Sequence, residues 1–234
     1  LEQTYPLWLI PQKWFFERIQ EYIKTNGQQG IPPSSLHLKG GWVFIESMNK
    51  PKYNDKYPQT ELADKIARLM TKDGIHYTVA SGNKQTKVQI GDKLKQGDRF
   101  SLQWPEITGL QVDDKGKTKL DNNGQALKTN QGITDYANKV LNTNSIRLPA
   151  ELEWNLIANL EVFKDKQAKP LQNEGWGSTN TYEWLMDDRS YDGGVNRLLA
   201  GNSDYGGLRN VNSNRPLYRD GSIGFRLLGS DLTL

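Results

Sequence analysis

The chain contains no cysteine. That absence removes disulfides, thiol nucleophiles and cysteine-based metal sites together. Histidine is nearly as scarce. His37 and His76 are the only two, and they lie far apart without metal-ligand spacing, so each reads as a turn or edge-strand residue. The phosphate-binding loop, the dinucleotide fingerprint and the nucleophile elbow are all missing. Glu151 and Glu153 stand two apart on an expected helix and point to different faces, so they do not pair as acid and base. Glu151 instead suits the helix N-terminus as a favourable charge. Asp187 and Asp188, just before Arg189, are explained by a capped turn. No catalytic residue, metal site or cofactor is therefore expected. No run is long and apolar enough to span a bilayer, and no signal peptide opens the sequence. The first residue is Leu1 rather than Met, which leaves room for a lost anchor or an N-terminal fusion domain. Cytoplasmic and surface-displayed settings both remain open, with the cytoplasm preferred for a cysteine-free chain.

A further shortage is local. Residues 187–234 hold no Lys, Glu, Gln, Met or Trp, although these types make up 56 of the 234 residues. Uniform usage would place about eleven of them there. Exposure does not explain the gap, because exposed loops welcome Lys, Glu and Gln. A coding restriction does. An Asn codon ending in a pyrimidine, randomised at its adenines, yields Asn, Ser, Asp, Gly, Tyr, Arg, Leu and Val among others, and never those five types. The stretch "GNSDYGGLRNVNSNRPLYRDGS" (residues 201–222) draws almost wholly on the permitted set.

What is present suits a folded domain. Seven Trp, ten Tyr and six Phe supply core material, so global disorder is not expected. The net charge is +3, but residues 187–234 contain six Arg and six Asp, so the basic excess lies upstream and nucleic acid is not indicated as a partner. Apolar spacing predicts helices over residues 11–27, over 60–74 with Thr60 as cap and Gly74 as stop, over 133–142, and from Pro149 onward through "AELEWNLIANL". Strands are expected at Trp42 to Glu46, in "HYTVA", "KVQI" and "RFSLQW", and as short pieces in "NTYEWLMDD", "NRLLAGN" and "SIGFRLLG", the last three joined by long loops. The polar "DDKGKTKLDNNGQ" reads as a hairpin tip or flexible loop. The pattern is α+β with an irregular second half.

Four segments, in order, resemble the formylglycine-generating enzyme/sulfatase-modifying family: "SIRLPAELEWNLIANL", "TNTYEWLMDD", "NRLLAGNS" and "IGFRLL". The resemblance implies a loop-rich C-type lectin-like fold over residues 1–234 as a single domain, with residues 49–132 as an insertion or elaboration. It implies core and polar bracing roles for Arg147, Trp154, Glu183, Trp184, Phe225 and Arg226. That family's chemistry needs cysteine thiols or an iron-binding histidine cluster. The chain has neither, so the resemblance implies the fold without the activity.

With the missing residue types, the closing "GFR" segment resembles the variable proteins of diversity-generating retroelements, which share this lectin-like fold. That resemblance implies a ligand-binding, non-enzymatic protein whose variable region spans residues 187–228. The ligand expected is a protein. The implied contact positions are Tyr205, Gly206, Asn210, Asn212, Ser213, Asn214, Leu217, Tyr218, Asp220, Gly221 and Ser222, with Arg209, Arg215 and Arg219 as scaffold arginines. Tyr gives rigid amphipathic area, while Asn, Ser and Gly give adaptable hydrogen bonding. Two other readings are a divergent oxidoreductase of the formylglycine-generating family and a structural or assembly module.

Overall fold

In the structure, a computed structural model, residues 7–11, 17, 42–46, 48–159, 179–205 and 207–230 are described. Within them the elements run β1 (Leu7–Pro11), β2 (Trp42–Glu46), α1 (Glu61–Lys72), β3 (His76–Ser81), β4 (Lys84–Gln89), α2 (Ile90–Lys95), α3 (Trp104–Thr108), α4 (Ile133–Leu141), α5 (Glu151–Asn159), β5 (Tyr182–Tyr191), β6 (Gly194–Asn202), β7 (Gly207–Asn214), β8 (Ile223–Gly224) and β9 (Leu228–Ser230). A single 3-10 turn, Ser203–Tyr205, separates β6 from β7.

The helices form where apolar spacing and end signals agree. Thr60 Oγ1 accepts the Ala63 amide at 3.1 Å to start α1, its Leu62, Ile66 and Met70 face inward, and Gly74 follows at φ 68°. The helix expected over residues 11–27 lies outside the described residues, apart from Pro11, which closes β1, and Glu17. The strand expected in "RFSLQW" does not form. Glu106 accepts the Gln103 amide at 2.8 Å, and Pro105 sits in the first turn, so the backbone coils into α3 at Trp104 instead. The polar stretch around residues 113–125 is two tight turns. In each, one aspartate oxygen, of Asp113 or Asp121, accepts the amides two and four residues on, a local bond typical of Asx turns.

Three small sheets result, with strand orders β1-β2-β9, β3-β4 and β7-β6-β5-β8. In the first, β2 pairs antiparallel with β1 on one side and with β9 on the other, so early and late parts of the chain close on each other. The connections are long, and the architecture is α+β and loop-rich, as the residue pattern implies. It agrees with the C-type lectin-like layout of the resemblance. Helices α1 to α3, all from residues 49–132, bring Leu62, Met70, Leu94 and Trp104 into one core with Trp184, Leu199 and Phe225. That segment therefore braces the fold. Trp184 Nε1 donates to the Leu102 carbonyl at 3.1 Å and Trp104 Nε1 to the Leu185 carbonyl at 2.9 Å. Each buried indole thus finds its acceptor across the core.

"SIGFRLLG" is divided into β8 and β9 because Arg226, between them, turns inward. Its Nε and Nη2 donate to the two Glu183 oxygens at 2.6 and 2.8 Å, and its Nη1 reaches the Glu46 and Met48 carbonyls. Trp154 Nε1 and the Tyr57 hydroxyl donate to the same carboxylate at 2.8 and 2.9 Å. Burial alone would raise the Glu183 pKa, but Arg226, Lys50 and Trp154 outweigh it and hold the carboxyl below its ordinary value. Beside it, Arg99 forks onto Glu46 at 2.6 and 2.9 Å, and Arg147 forks onto Glu153. Lys50 is buried as well, donating to the Thr181 carbonyl and to the Gly201 carbonyl at 2.6 Å.

Replacing Glu183 with Gln is expected to cost about 3–5 kcal/mol, because it strands a buried guanidinium; a urea-unfolding loss below about 1 kcal/mol would refute the bracing role. Burial, only partly offset by Glu183, brings the Lys50 pKa from 10.5 down to about 7. A lowered folded pKa means that above it the unfolded chain binds the extra proton, so stability rises with pH through this window. Relative to Lys50→Met, the native chain is expected to gain up to about 1.4 kcal/mol per pH unit above neutrality. Urea midpoints of the two proteins from about pH 6 to about pH 9 measure the difference, and parallel curves would disprove it.

Candidate ligand-binding surface

Residues 187–222, expected as short strands joined by long loops with a loose stretch over 201–222, are largely strand. β5 extends to Tyr191, and a two-residue Asp192-Gly193 turn with φ 47° and 71° reverses it into β6. Positive φ at both central residues is the geometry that an Asp-Gly pair adopts in a tight hairpin, so "YDGG" was the sequence signal for this turn. β6 then pairs antiparallel with β7, placing Leu199 opposite Asn212 and Leu198 opposite Ser213. Asp187 and Asp188 lie within β5 rather than in a capped turn. Asp187 accepts the Glu151 amide at 2.5 Å, capping α5 from outside it, and Asp188 accepts from Arg197 at 3.1 Å. Burial raises the Asp187 pKa and, together with Asp187, that of Glu151.

Beyond β7 the backbone of residues 215–220 is fastened to α3 and its approach. The Trp104 amide donates to the Pro216 carbonyl at 2.9 Å, and Gln103 Nε2 donates to the Leu217 carbonyl at 2.5 Å. Arg219 forks onto Glu106 at 2.7 and 2.5 Å and lies 3.7 Å above the Tyr77 ring. Of the arginines expected as scaffold, Arg219 is held by the fold in this way, whereas Arg215 is exposed. Arg197 ties the rear of the hairpin, donating to Thr118 at 2.7 Å and stacking 4.0 Å from Trp104.

The residues expected to contact ligand divide into groups. Tyr205, Leu217 and Tyr218 are 70%, 44% and 51% exposed, too much for core roles. Asn212, Ser213, Asn214 and Tyr218 line one cleft of about 550 Å³, together with Arg189, Tyr191, Asn196 and Arg215. Leu217 and Tyr218 line an adjoining cleft of about 500 Å³, which reaches Pro216, Val195 and the turn at Lys115 and Gly116. Tyr205 stacks on Tyr182 with centroids 6.4 Å apart, and Asn212 Nδ2 donates to the Tyr182 hydroxyl at 3.3 Å, which joins Tyr205 to the same surface. Asp220, Gly221 and Ser222 line neither cleft. Asp220 Oδ1 accepts both the Ser222 amide and its hydroxyl at 2.7 Å, closing the turn into β8. Gly206 lies outside the described residues, and of Asn210 and Arg209 only the backbone, in β7, is described.

Sequence reasoning missed Arg189, Tyr191 and Asn196 on the hairpin and the turn at Gly116. Among the described residues seven large hydrophobic or aromatic side chains are exposed, and four of them, Tyr191, Tyr205, Leu217 and Tyr218, fall in residues 187–228. No group of three metal-ligating side chains occurs among the described residues, and no described helix is long and apolar enough to cross a membrane.

Gly116 lines the second cleft. It has φ 82°, and a Cβ there would lie 2.2 Å from the Val195 carbonyl oxygen and 2.9 Å from Pro216. Gly116→Ala is expected to lower stability by more than 2 kcal/mol, roughly the left-handed strain plus a backbone clash. Gly193→Ala, with open space around it, is expected to cost only about 1 kcal/mol. Thermal melts of the two variants test the order, and equal losses would place the Gly116 turn away from β6.

No family model and no curated protein sequence matches the chain. Among solved structures, the chain is similar to the crystal structure of CarF, at 16% identity and a TM-score of 0.46, over 86% of this chain and 92% of that one. It is also similar to Treponema denticola variable protein 1, at 18% identity and a TM-score of 0.33, over 82% of this chain and 85% of that one.

Proposed function

We propose that the chain is a ligand-binding protein of the diversity-generating retroelement type. In this reading residues 1–234 are one C-type lectin-like domain, residues 49–132 an elaboration that braces it, and residues 187–228 a variable region that recognises protein ligands without catalysis. The observation that carries the reading is the contrast between attachment and exposure in residues 212–218. Backbone groups hold this segment to β6 and to α3, while the side chains of Asn212, Leu217 and Tyr218 project outward. A surface so built tolerates replacement of its contact residues, which diversification at adenines requires. Irregular segments on a rigid frame also limit the ordering cost of binding, about 0.5–1.5 kcal/mol per immobilised side chain.

Panning the chain against a displayed library of random peptide loops tests the reading. Tyr205→Ala and Tyr218→Ala are each expected to weaken selected loops by about tenfold or more, an anchor loss of at least about 1.4 kcal/mol, without lowering the melting temperature. A fall in melting temperature with unchanged binding would make the two tyrosines structural and sink the proposal. In the gene, a near-copy of the 3′ coding end that differs at adenines, beside a reverse transcriptase, is the expected companion.

A further inference from the structure

The geometry points to a specific ligand chemistry for this surface: a protein segment that presents a carboxylate beside an apolar side chain. The inference rests on the ligand-binding reading above and adds the partner's chemistry and the residues that select it.

The arginines carry the argument. Arg68, Arg99, Arg147, Arg197, Arg219 and Arg226 each have a carboxylate partner within the chain. Arg189 and Arg215 are both exposed. They line one cleft of about 550 Å³ that no acidic residue lines, and neither makes an ion pair among the described residues. Two guanidiniums of one cleft, one on β5 and one just after β7 with β6 between those strands, offer planar donor forks, and a carboxylate matches such a fork with two parallel hydrogen bonds. Tyr191 and Tyr218 flank the same cleft and supply flat, low-entropy walls beside the charge.

The adjoining cleft shares Tyr191, Asn196, Arg215 and Tyr218 with the first, so one ligand segment spans both. Its own lining differs. Val195, Pro216 and Leu217 offer apolar surface, and Asp114 and Asp192 line it as well. An apolar side chain next to the carboxylate fills this half. The two aspartates oppose a continuous polyanion, which would have to pass them, and this favours an isolated carboxylate over a nucleic-acid backbone. Arg189, Tyr191 and Asn196 belong to the β5–β6 hairpin and Arg215 follows β7, so charge preference is shared between the hairpin and the segment after β7.

The random-loop library, with its selected loops resynthesised, gives the test. Asp or Glu next to Leu or Phe is expected to dominate the selected sequences. Changing that acid to its amide, or making Arg189→Gln or Arg215→Gln, is expected to weaken binding at least about tenfold and to flatten its salt dependence. Arg189→Lys, which keeps the charge and loses the fork, is expected to fall between. Melting temperatures are expected to be unchanged, since neither side chain has an ion-pair partner among the described residues. Three results would overturn the inference: selected loops without acidic preference, arginine variants that bind as the parent does, or a labelled oligothymidylate that binds as tightly as the loops. If loops without acidic preference still depend on Asn212 and Tyr218, the ligand-binding reading survives and this one falls. If no loop is retained, or none depends on that face, both fall.

Discussion

Four donors aimed at one buried carboxylate hold this protein in register. Glu183 receives the Arg226 fork, the Trp154 indole and the Tyr57 hydroxyl. Its partners come from the segment between β8 and β9, from α5, and from the connection after β2. A carboxylate in such surroundings is tolerable only when every acceptor site is answered, since an unanswered buried charge costs several kcal/mol. The three distant segments therefore assemble together around β5, or the centre stays unsatisfied. Arg226 extends the network to the Glu46 and Met48 carbonyls, so the sheet that joins β2 to β9 is positioned by the same group. In a chain without disulfides and with long connections, this polar centre does work that a larger apolar core would do elsewhere.

The front of the molecule inherits its order from that centre indirectly. β5 leads from Glu183 to the exposed hairpin tip, and β6 returns from it with Arg197 locked behind. The segment after β7 is secured by carbonyls, those of Pro216 and Leu217, rather than by its side chains. A carbonyl is common to all residues, so the attachment does not depend on which residue follows. The neighbouring Arg219, by contrast, is committed to Glu106 and Tyr77 and belongs to the support. The division between supporting and displayed residues thus falls between adjacent positions of one short loop.

Much of this was readable in the sequence, for physical reasons that differ by element. Thr60, the stripe Leu62, Ile66 and Met70, and Gly74 are local signals, and α1 forms where they place it. The roles of Glu183, Trp154 and Arg226 came from motif resemblance, because no local rule says that a strand carboxylate meets an arginine 43 residues later. "RFSLQW" misled because alternation is a weak signal beside a proline and a glutamate that close a capping box. The composition of residues 201–222 spoke of turns and loops, yet β6 supplies the ladder that makes a strand of β7. Tertiary pairing there outweighs low β propensity. Arg189 and Tyr191 escaped notice because the cleft they line forms only when β5, β6 and β7 pair, which no local pattern announces.

Among the described residues β7 has a neighbour on one side only, since the sheet order is β7-β6-β5-β8. An inner strand is constrained by two ladders and two rows of side chains, whereas a rim strand answers to one. A strand so placed can exchange its outward side chains while the single ladder to β6, made by backbone groups, stays the same.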